Sequence, residues 1–163
     1  MCLVAVALDE DRRFPLVVAA NRDEYFDRPA ARLGWWAPDE GSAEILGGRD
    51  LVAGGTWMGL TAAGRLALVT NVRRTVVPDL QAPSRGHIVA GWLSTALRPD
   101  QFWMQTSLSG YAPFNLIAAD FLRGDCFWAS NESAVPQRME RGIFGLSNAA
   151  LDTPWPKVVA LKS

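Results

Sequence analysis

The chain opens as alternating blocks of apolar and charged residues. Residues 2–8 are continuously apolar and include Val4 and Val6, which predicts a buried strand. Residues 9–13 form a charged turn, and residues 14–20 are a second strand. Two strands joined by a short polar turn make an antiparallel hairpin, with the start of the first beside the end of the second. The second strand runs straight into Asn21-Arg22-Asp23-Glu24, so the hairpin brings the N-terminus to that polar tetrad. Residues 25–45 carry Pro29, Gly34, Pro38 and Gly41 around Trp35-Trp36 and read as a long loop, a kind of segment that often carries function. Strands at 56–61 and 66–70 flank the turn Ala62-Ala63-Gly64-Arg65, and the second ends at Asn71. From Ser84, a good N-cap, Ile88, Val89, Trp92, Leu93 and Leu97 recur at helical spacing. Pro99-Asp100 opens a second helix to about Leu108, closed by Gly110. Residues 114–120 and 125–129 read as a hairpin around Leu122-Arg123-Gly124. A short strand at 142–147 ends at Asn148, and Pro154 begins a last helix to Ser163. Strands, then helices, then strands, then a helix predict an α+β layered domain with a mostly antiparallel sheet.

Composition narrows the function classes. At 163 residues, 49% of them hydrophobic, the chain is expected to form one domain with a real core. The net charge is −1 and the basic residues are not clustered beyond Arg73-Arg74, which argues against a nucleic-acid partner. Two cysteines and one histidine are too few for a Cys- or His-rich structural zinc site, and no metal is expected. They also give no sign of a secreted disulfide framework, although a Cys2–Cys126 bridge stays open. The apolar stretch 3–8 lacks a basic leader and stops at Asp9-Glu10-Asp11, so it does not read as a signal peptide. No apolar run approaches the length of a membrane span. The expected compartment is the cytoplasm, with both thiols reduced. Seven tryptophans serve core packing for the most part, and some are expected to line a pocket.

The chemistry on offer starts at Cys2. Methionine before a small residue is commonly trimmed, which would make Cys2 the first residue of the mature chain. A terminal cysteine carries a thiol and an α-amine that titrates near ~8, against ~10 for lysine. The amine can then serve as the base for its own side chain, and no histidine is required. The plainer reading of Cys2 is a small apolar residue opening a buried strand. Acyl transfer also needs donors aimed at the developing oxyanion, each worth roughly 3 kcal/mol. Asn21, Asn71 and Asn148 all sit at inferred strand ends and could act as donors or as turn and capping residues. Arg22 could hold a thiolate or a substrate carboxylate, and Asp23 could orient the terminal amine. A structural arginine–carboxylate pair is the alternative for both.

The ordered set Met1-Cys2-Leu3, Asn21-Arg22-Asp23-Glu24, Arg28-Pro29, Gly47-Gly48-Arg49-Asp50, Gly54-Gly55-Thr56-Trp57 and Thr70-Asn71-Val72-Arg73 strongly resembles the NRDE protein family. That family includes the transport and Golgi organisation proteins of eukaryotes, and the likeness covers most of the chain. It is itself similar to the N-terminal-nucleophile hydrolases, above all bile salt hydrolases and penicillin V acylases. The resemblance implies a four-layer αββα sandwich and cleavage of an amide bond by an N-terminal cysteine. By it, Cys2 is the nucleophile, Asn71 and Asn148 hold the oxyanion, and Arg22 and Asp23 position the terminus. Asn21, Glu24, Trp57 and Arg73 are the expected binding or positioning residues around them. The pattern departs in two places. The hydrolases carry their arginine and aspartate three apart, whereas Arg22 and Asp23 are adjacent and would face opposite sides of a continuing strand. They also use an arginine well downstream, and NRDE proteins usually run longer than this chain. The sandwich is therefore expected to be incomplete at the C-terminus, with an open sheet edge able to pair with another copy of the chain.

Two functions follow as expectations. One is a cysteine amidohydrolase acting on a non-peptide amide of a small molecule, without a cofactor. The other is a non-catalytic carrier of an apolar ligand, a haem or a lipid, lined by the tryptophans and the 25–45 loop. NRDE proteins have no firmly assigned reaction, and eukaryotic members are linked to Golgi organisation and to handling of haem or lipids. His87, on an inferred helix, is the one histidine that could ligate a haem.

Overall fold

The computed structural model describes residues 3–73, 81–107, 109–133 and 135–163. Cys2 lies outside the described residues, as does Leu108. The described elements are, in order, β1 (Leu3–Asp11), β2 (Phe14–Asn21), β3 (Ala30–Trp36), β4 (Ile45–Asp50), β5 (Met58–Thr61), β6 (Arg65–Asn71), α1 (Gly86–Ser94), α2 (Pro99–Ser107), β7 (Phe114–Asp120), β8 (Asp125–Ser130), β9 (Gln137–Arg138), β10 (Gly142–Leu146) and α3 (Pro156–Lys162). They build a mixed α+β fold of two antiparallel sheets. One has the order β10-β1-β2 and the other the order β3-β4-β5-β6-β7-β8-β9.

The predicted N-terminal hairpin forms, with Leu3 opposite Asn21 and Leu8 opposite Leu16. Its first strand runs past Leu8 to Asp11, through a register shift at which Asp9 takes a positive φ of 52°. The turn itself is tight: Asp11 accepts a bond from the backbone N–H of Arg13 at 2.8 Å and pairs with its guanidinium at the same distance.

Side-chain alternation along β6 and β7 decides how the sheets pack. Leu66, Leu68, Ile117 and Ala119 face the small sheet, where Val4, Val6, Leu8 and Leu146 meet them. Ala67, Val69, Leu116 and Ala118 point the other way, onto Ile88, Val89, Trp92 and Leu93 of α1 and Phe102 of α2. Both strands are buried on both faces, so each reads as an unbroken apolar run. The third helix, α3, lies on the outer face of the small sheet with Val158 buried. A Cβ at Gly145 would sit 2.5 Å from Val158, so glycine is what lets α3 approach β10. The layers run helix pair, sheet, sheet, helix. Among the described residues no helix is long and apolar enough to cross a membrane.

Several expectations need correction. The segment 25–45 is not one long loop, since it contains β3 and ends at Ile45, the start of β4. β3 is the edge strand of its sheet and largely exposed, so it lacks an alternating apolar face. β4 was disguised by Gly47 and Gly48, which are glycines because neighbours press close. A Cβ at Gly47 would stand 2.7 Å from Met58 O, and one at Gly48 would stand 2.6 Å from the Trp57 ring. The first helix starts at Gly86, with Arg85 rather than Ser84 at its N-cap, and stops at Ser94 rather than Leu97. The last helix starts at Pro156 rather than Pro154.

The start of α1 is wedged against the turn before β5. Thr56 N donates to Gly86 O at 3.3 Å, and a Cβ on Gly55 would lie 2.5 Å from Gly86 C and 2.6 Å from Gly86 O. Gly55→Ala must push backbone from backbone, and it is expected to cost about 1–3 kcal/mol. Urea unfolding of the variant checks this, and stability equal to wild type would show that the contact yields freely.

Candidate functional site

The strand β2 ends at Asn21, directly across from Leu3 at the start of β1. Arg22 and Asp23 therefore follow the strand rather than continue it, and the pleat no longer separates them. Both line one cavity of about 200 Å³, together with Glu24, Arg28, Asp50, Thr56, Trp57, Asn71 and the segment Ser84-Arg85-Gly86. The cavity thus draws walls from the β2 end, the β4–β5 turn, the end of β6 and the entry to α1.

Its charged floor is a closed quartet. Arg22 Nη2 lies 3.1 Å from Glu24 Oε2 and 3.7 Å from Asp50 Oδ2. Arg28 Nε donates to Asp50 Oδ2 at 2.9 Å and lies 3.8 Å from Glu24 Oε2. The Arg22 guanidinium stacks over the Trp57 ring, 4.4 Å from its centroid. Asp50 also accepts bonds from the backbone N–H groups of Val52 and Ala53, at 2.9 and 3.1 Å. Burial pushes its pKa up, but the Ala53 N–H, the Arg28 guanidinium and the Val52 N–H together outweigh this and hold it below the ordinary carboxylate value. Asp23 accepts a bond from Asn21 Nδ2 at 2.6 Å, so Asn21 braces the tetrad rather than the cavity wall.

The asparagines divide by role. Asn71 lines the cavity, and its side chain makes no hydrogen bond among the described residues. Asn148 is buried and is not part of the cavity wall. Its Nδ2 donates to Asn71 O at 2.9 Å, while its Oδ1 accepts from Ser147 Oγ at 3.3 Å. Arg73 is exposed, outside the cavity, with its guanidinium 6.0 Å from the Trp155 ring centroid. Its backbone N–H donates to Asn148 O at 2.8 Å.

These motif residues, brought together from distant parts of the chain, fall inside a wider sequence match. A model of the family described as "Transport and Golgi organisation 2" matches residues 1–163. The chain belongs to the Transport and Golgi organisation 2 family. It is 36% identical over 171 residues to the human Transport and Golgi organization protein 2 homolog, covering 97% of this chain and 60% of that protein. The Bos taurus protein of the same description is 34% identical over the same shares. The mouse Transport and Golgi organization 2 homolog is 34% identical over 172 residues. The chain spans 60% of the length of these relatives.

Sequence reasoning about this Transport and Golgi organisation 2 chain missed four contributors. Arg28 and Asp50 stand in the quoted motifs, yet only the fold shows that they complete the quartet with Arg22 and Glu24. Arg85 gave no signal at all, because it reads as the second residue of a helix. Asn115, buried behind Asn71, sits in a strand otherwise apolar as far as Ala119.

Asp50 ties two arginines to a turn, so Asp50→Asn should destabilise the fold by about 1–3 kcal/mol. The sign of the pH effect follows from its lowered pKa. Its contribution is intact above the unfolded value near ~4 and is lost as pH falls through the lower folded value. Denaturant unfolding from pH 6 down to pH 2 would therefore show a steeper acid loss in wild type than in Asp50→Asn. Parallel curves would remove Asp50 as the acid-sensitive group.

Proposed function

We propose that this domain is a cysteine amidohydrolase of the N-terminal-nucleophile type that cleaves a C–N amide of a small molecule, with Cys2 as nucleophile. The observation that carries this reading is the pairing of Leu3 with Asn21. It ties the chain entering β1 to the Asn21-Arg22-Asp23-Glu24 end of the hairpin, where a polar cavity and the unbonded amide of Asn71 stand. The layering of helices outside two facing sheets is consistent with an αββα sandwich of the hydrolase type.

The reaction would run as follows. After loss of Met1, the Cys2 amine takes the thiol proton and the sulfur attacks the amide carbon. The carbonyl oxygen becomes an oxyanion held by the Asn71 amide, with Asn148 supporting it through its bond to Asn71 O. Collapse breaks the C–N bond, and the leaving amine takes the proton from the Cys2 ammonium. Water then hydrolyses the thioester and restores the thiol. Asp23 would orient the terminal amine. Arg22 would support it from within the quartet rather than as a free cation, since Glu24 and Asp50 already engage it. Trp57 and Glu24 would shape the substrate side of the same cavity.

The second cysteine makes a clean control. Cys126 is a free thiol packed in the core between the sheets, and burial pushes its pKa up to about 11. It stays protonated and slow at neutral pH. Intact-mass measurement with a thiol-reactive acylating probe at neutral pH should show Met1 absent and fast labelling that disappears in Cys2→Ala. Retained Met1, or equal labelling of wild type and Cys2→Ala, would refute the nucleophile.

One observation favours the carrier reading as an alternative. A cavity of about 500 Å³ lies under α2, walled by Trp92, Phe102, Trp103, Leu116 and Phe127. Its aromatic side would take an apolar tail, beside Arg98, Asp100, Arg123, Asp125 and Arg138, and it shares no residue with the polar cavity. His87 does not line it, and its Nε2 stands 2.7 Å from Ala53 O. A haem bound there would therefore lack this ligand. Titration with haem should then give a Soret shift that Cys2→Ala leaves unchanged, and no shift would dismiss the haem version.

A further inference from the structure

We infer that the small polar cavity holds its ligand by an anionic group at Arg85, so that the molecule entering it carries a carboxylate. This rests on the reading of that cavity as the ligand site, though not on Cys2 being a nucleophile.

Arg85 differs from every other arginine of the cavity. Arg22 and Arg28 each face two carboxylates within 4 Å. Arg85 faces none among the described residues, and its one hydrogen bond runs from Nη1 to Pro113 O at 3.0 Å. Burial lowers its pKa, yet a guanidinium stays charged at any working pH. A half-buried cation without a counter-charge is a standing cost to the fold. Arg65 shows the contrast. It is similarly sheltered, but it donates to two backbone carbonyls, stacks on Trp92 and lies 3.9 Å from Asp120.

Among the described residues, Nε and Nη2 of Arg85 make no hydrogen bond. Arg85 therefore offers these N–H groups at the wall of a cavity of about 200 Å³. Two parallel N–H groups match the two oxygens of a carboxylate. The volume suits a short chain bearing that group better than a bulky phosphate ester. Of the acids in the same cavity, Glu24 and Asp50 are paired with Arg22 and Arg28, while Asp23 accepts from the neutral amide of Asn21 and keeps its charge at the β2 end, with no ion pair to Arg85 within 4 Å. Asn71 lines the same cavity, and its amide can take a further polar group of the same ligand.

The test uses the full chain carrying Cys2→Ala, so that no chemistry consumes the probe. Dissociation constants for butyrate, its neutral isostere butyramide and inorganic phosphate are measured by ligand-observed NMR. Butyrate is expected to bind at least about tenfold more tightly than butyramide. Adding Arg85→Gln should bring butyrate to the level of butyramide, and Arg85→Lys should fall between, since it keeps the charge and loses the fork. Thermal unfolding checks each variant, and the lysine variant decides if the glutamine variant does not fold. Equal affinity for butyrate and butyramide would overturn the proposal. So would tighter binding of phosphate than of butyrate, no binding of either organic probe, or full butyrate affinity in the Arg85 variants. Because Cys2 is absent throughout, a failure of the nucleophile in the labelling experiment leaves this result standing, and the reverse also holds.

Discussion

The site depends on one buried amide. Asn115 is fully buried on β7, and a buried amide must satisfy its donors and acceptor within the protein. Its Nδ2 donates to Thr70 Oγ1 at 3.1 Å and to Ala149 O at 2.8 Å, while its Oδ1 accepts from Trp128 Nε1 at 3.2 Å. Thr70 in turn donates to Ser147 O at 2.7 Å. These bonds reach from the large sheet to the segment that leaves β10 of the small one. The apolar layer between the sheets is non-directional and would tolerate sliding. The Asn115 network is directional, and it fixes the two sheets at the end where the cavity lies. Asn148, carried by that same segment, then holds the backbone of Asn71. The aim of the Asn71 side chain is thus set three bonds away.

The two ends of the inter-sheet layer have opposite character. At the turn between β7 and β8 the layer closes over Cys126 and Met139 and is apolar. At the other end, β6 and β7 leave the layer at Asn71 and Phe114, and the polar cavity begins. Charge gathers there because that end is open enough to keep part of each group wet. The quartet of Arg22, Arg28, Glu24 and Asp50 neutralises itself, and it locks the β2 end to the β4–β5 turn. A neutral quartet contributes shape without attracting a charged ligand. The charges outside it are Asp23, at the β2 end, and Arg85, at the entry to α1, which faces no carboxylate within 4 Å among the described residues.

Much of this was legible in the sequence where a single period governs a segment. The β1–β2 hairpin, the β6 strand and the α1 helix follow from apolar runs and helical spacing, and the hairpin argument carried the tetrad to the chain start. The residues that complete the site were not legible, for physical reasons. β3 is an exposed edge strand and carries no apolar alternation. β4 keeps glycines where Trp57 and Met58 press against it, so its sequence imitates a turn. Asn115 occupies a buried strand, and its role exists only once β6, β8 and the segment after β10 surround it. Arg85 lies at a helix entry, where an arginine ordinarily faces solvent, and its place in the cavity wall appears only once α1 packs beside the turn before β5.

The end of β2 also bears on the departure from the hydrolase pattern. Adjacent residues on a continuing strand point to opposite faces. Here the strand ends at Asn21, so the constraint that separates neighbours lapses one residue before it would matter. Arg22 turns onto Trp57 and the quartet, Asp23 turns toward Asn21, and both still border the same cavity. The adjacent pair is therefore no obstacle to shared work in one site. What the spacing does change is the arginine's freedom. Held by two carboxylates and a ring, Arg22 is a structural cation first, and the work of meeting an incoming anion passes to the arginine at the head of α1.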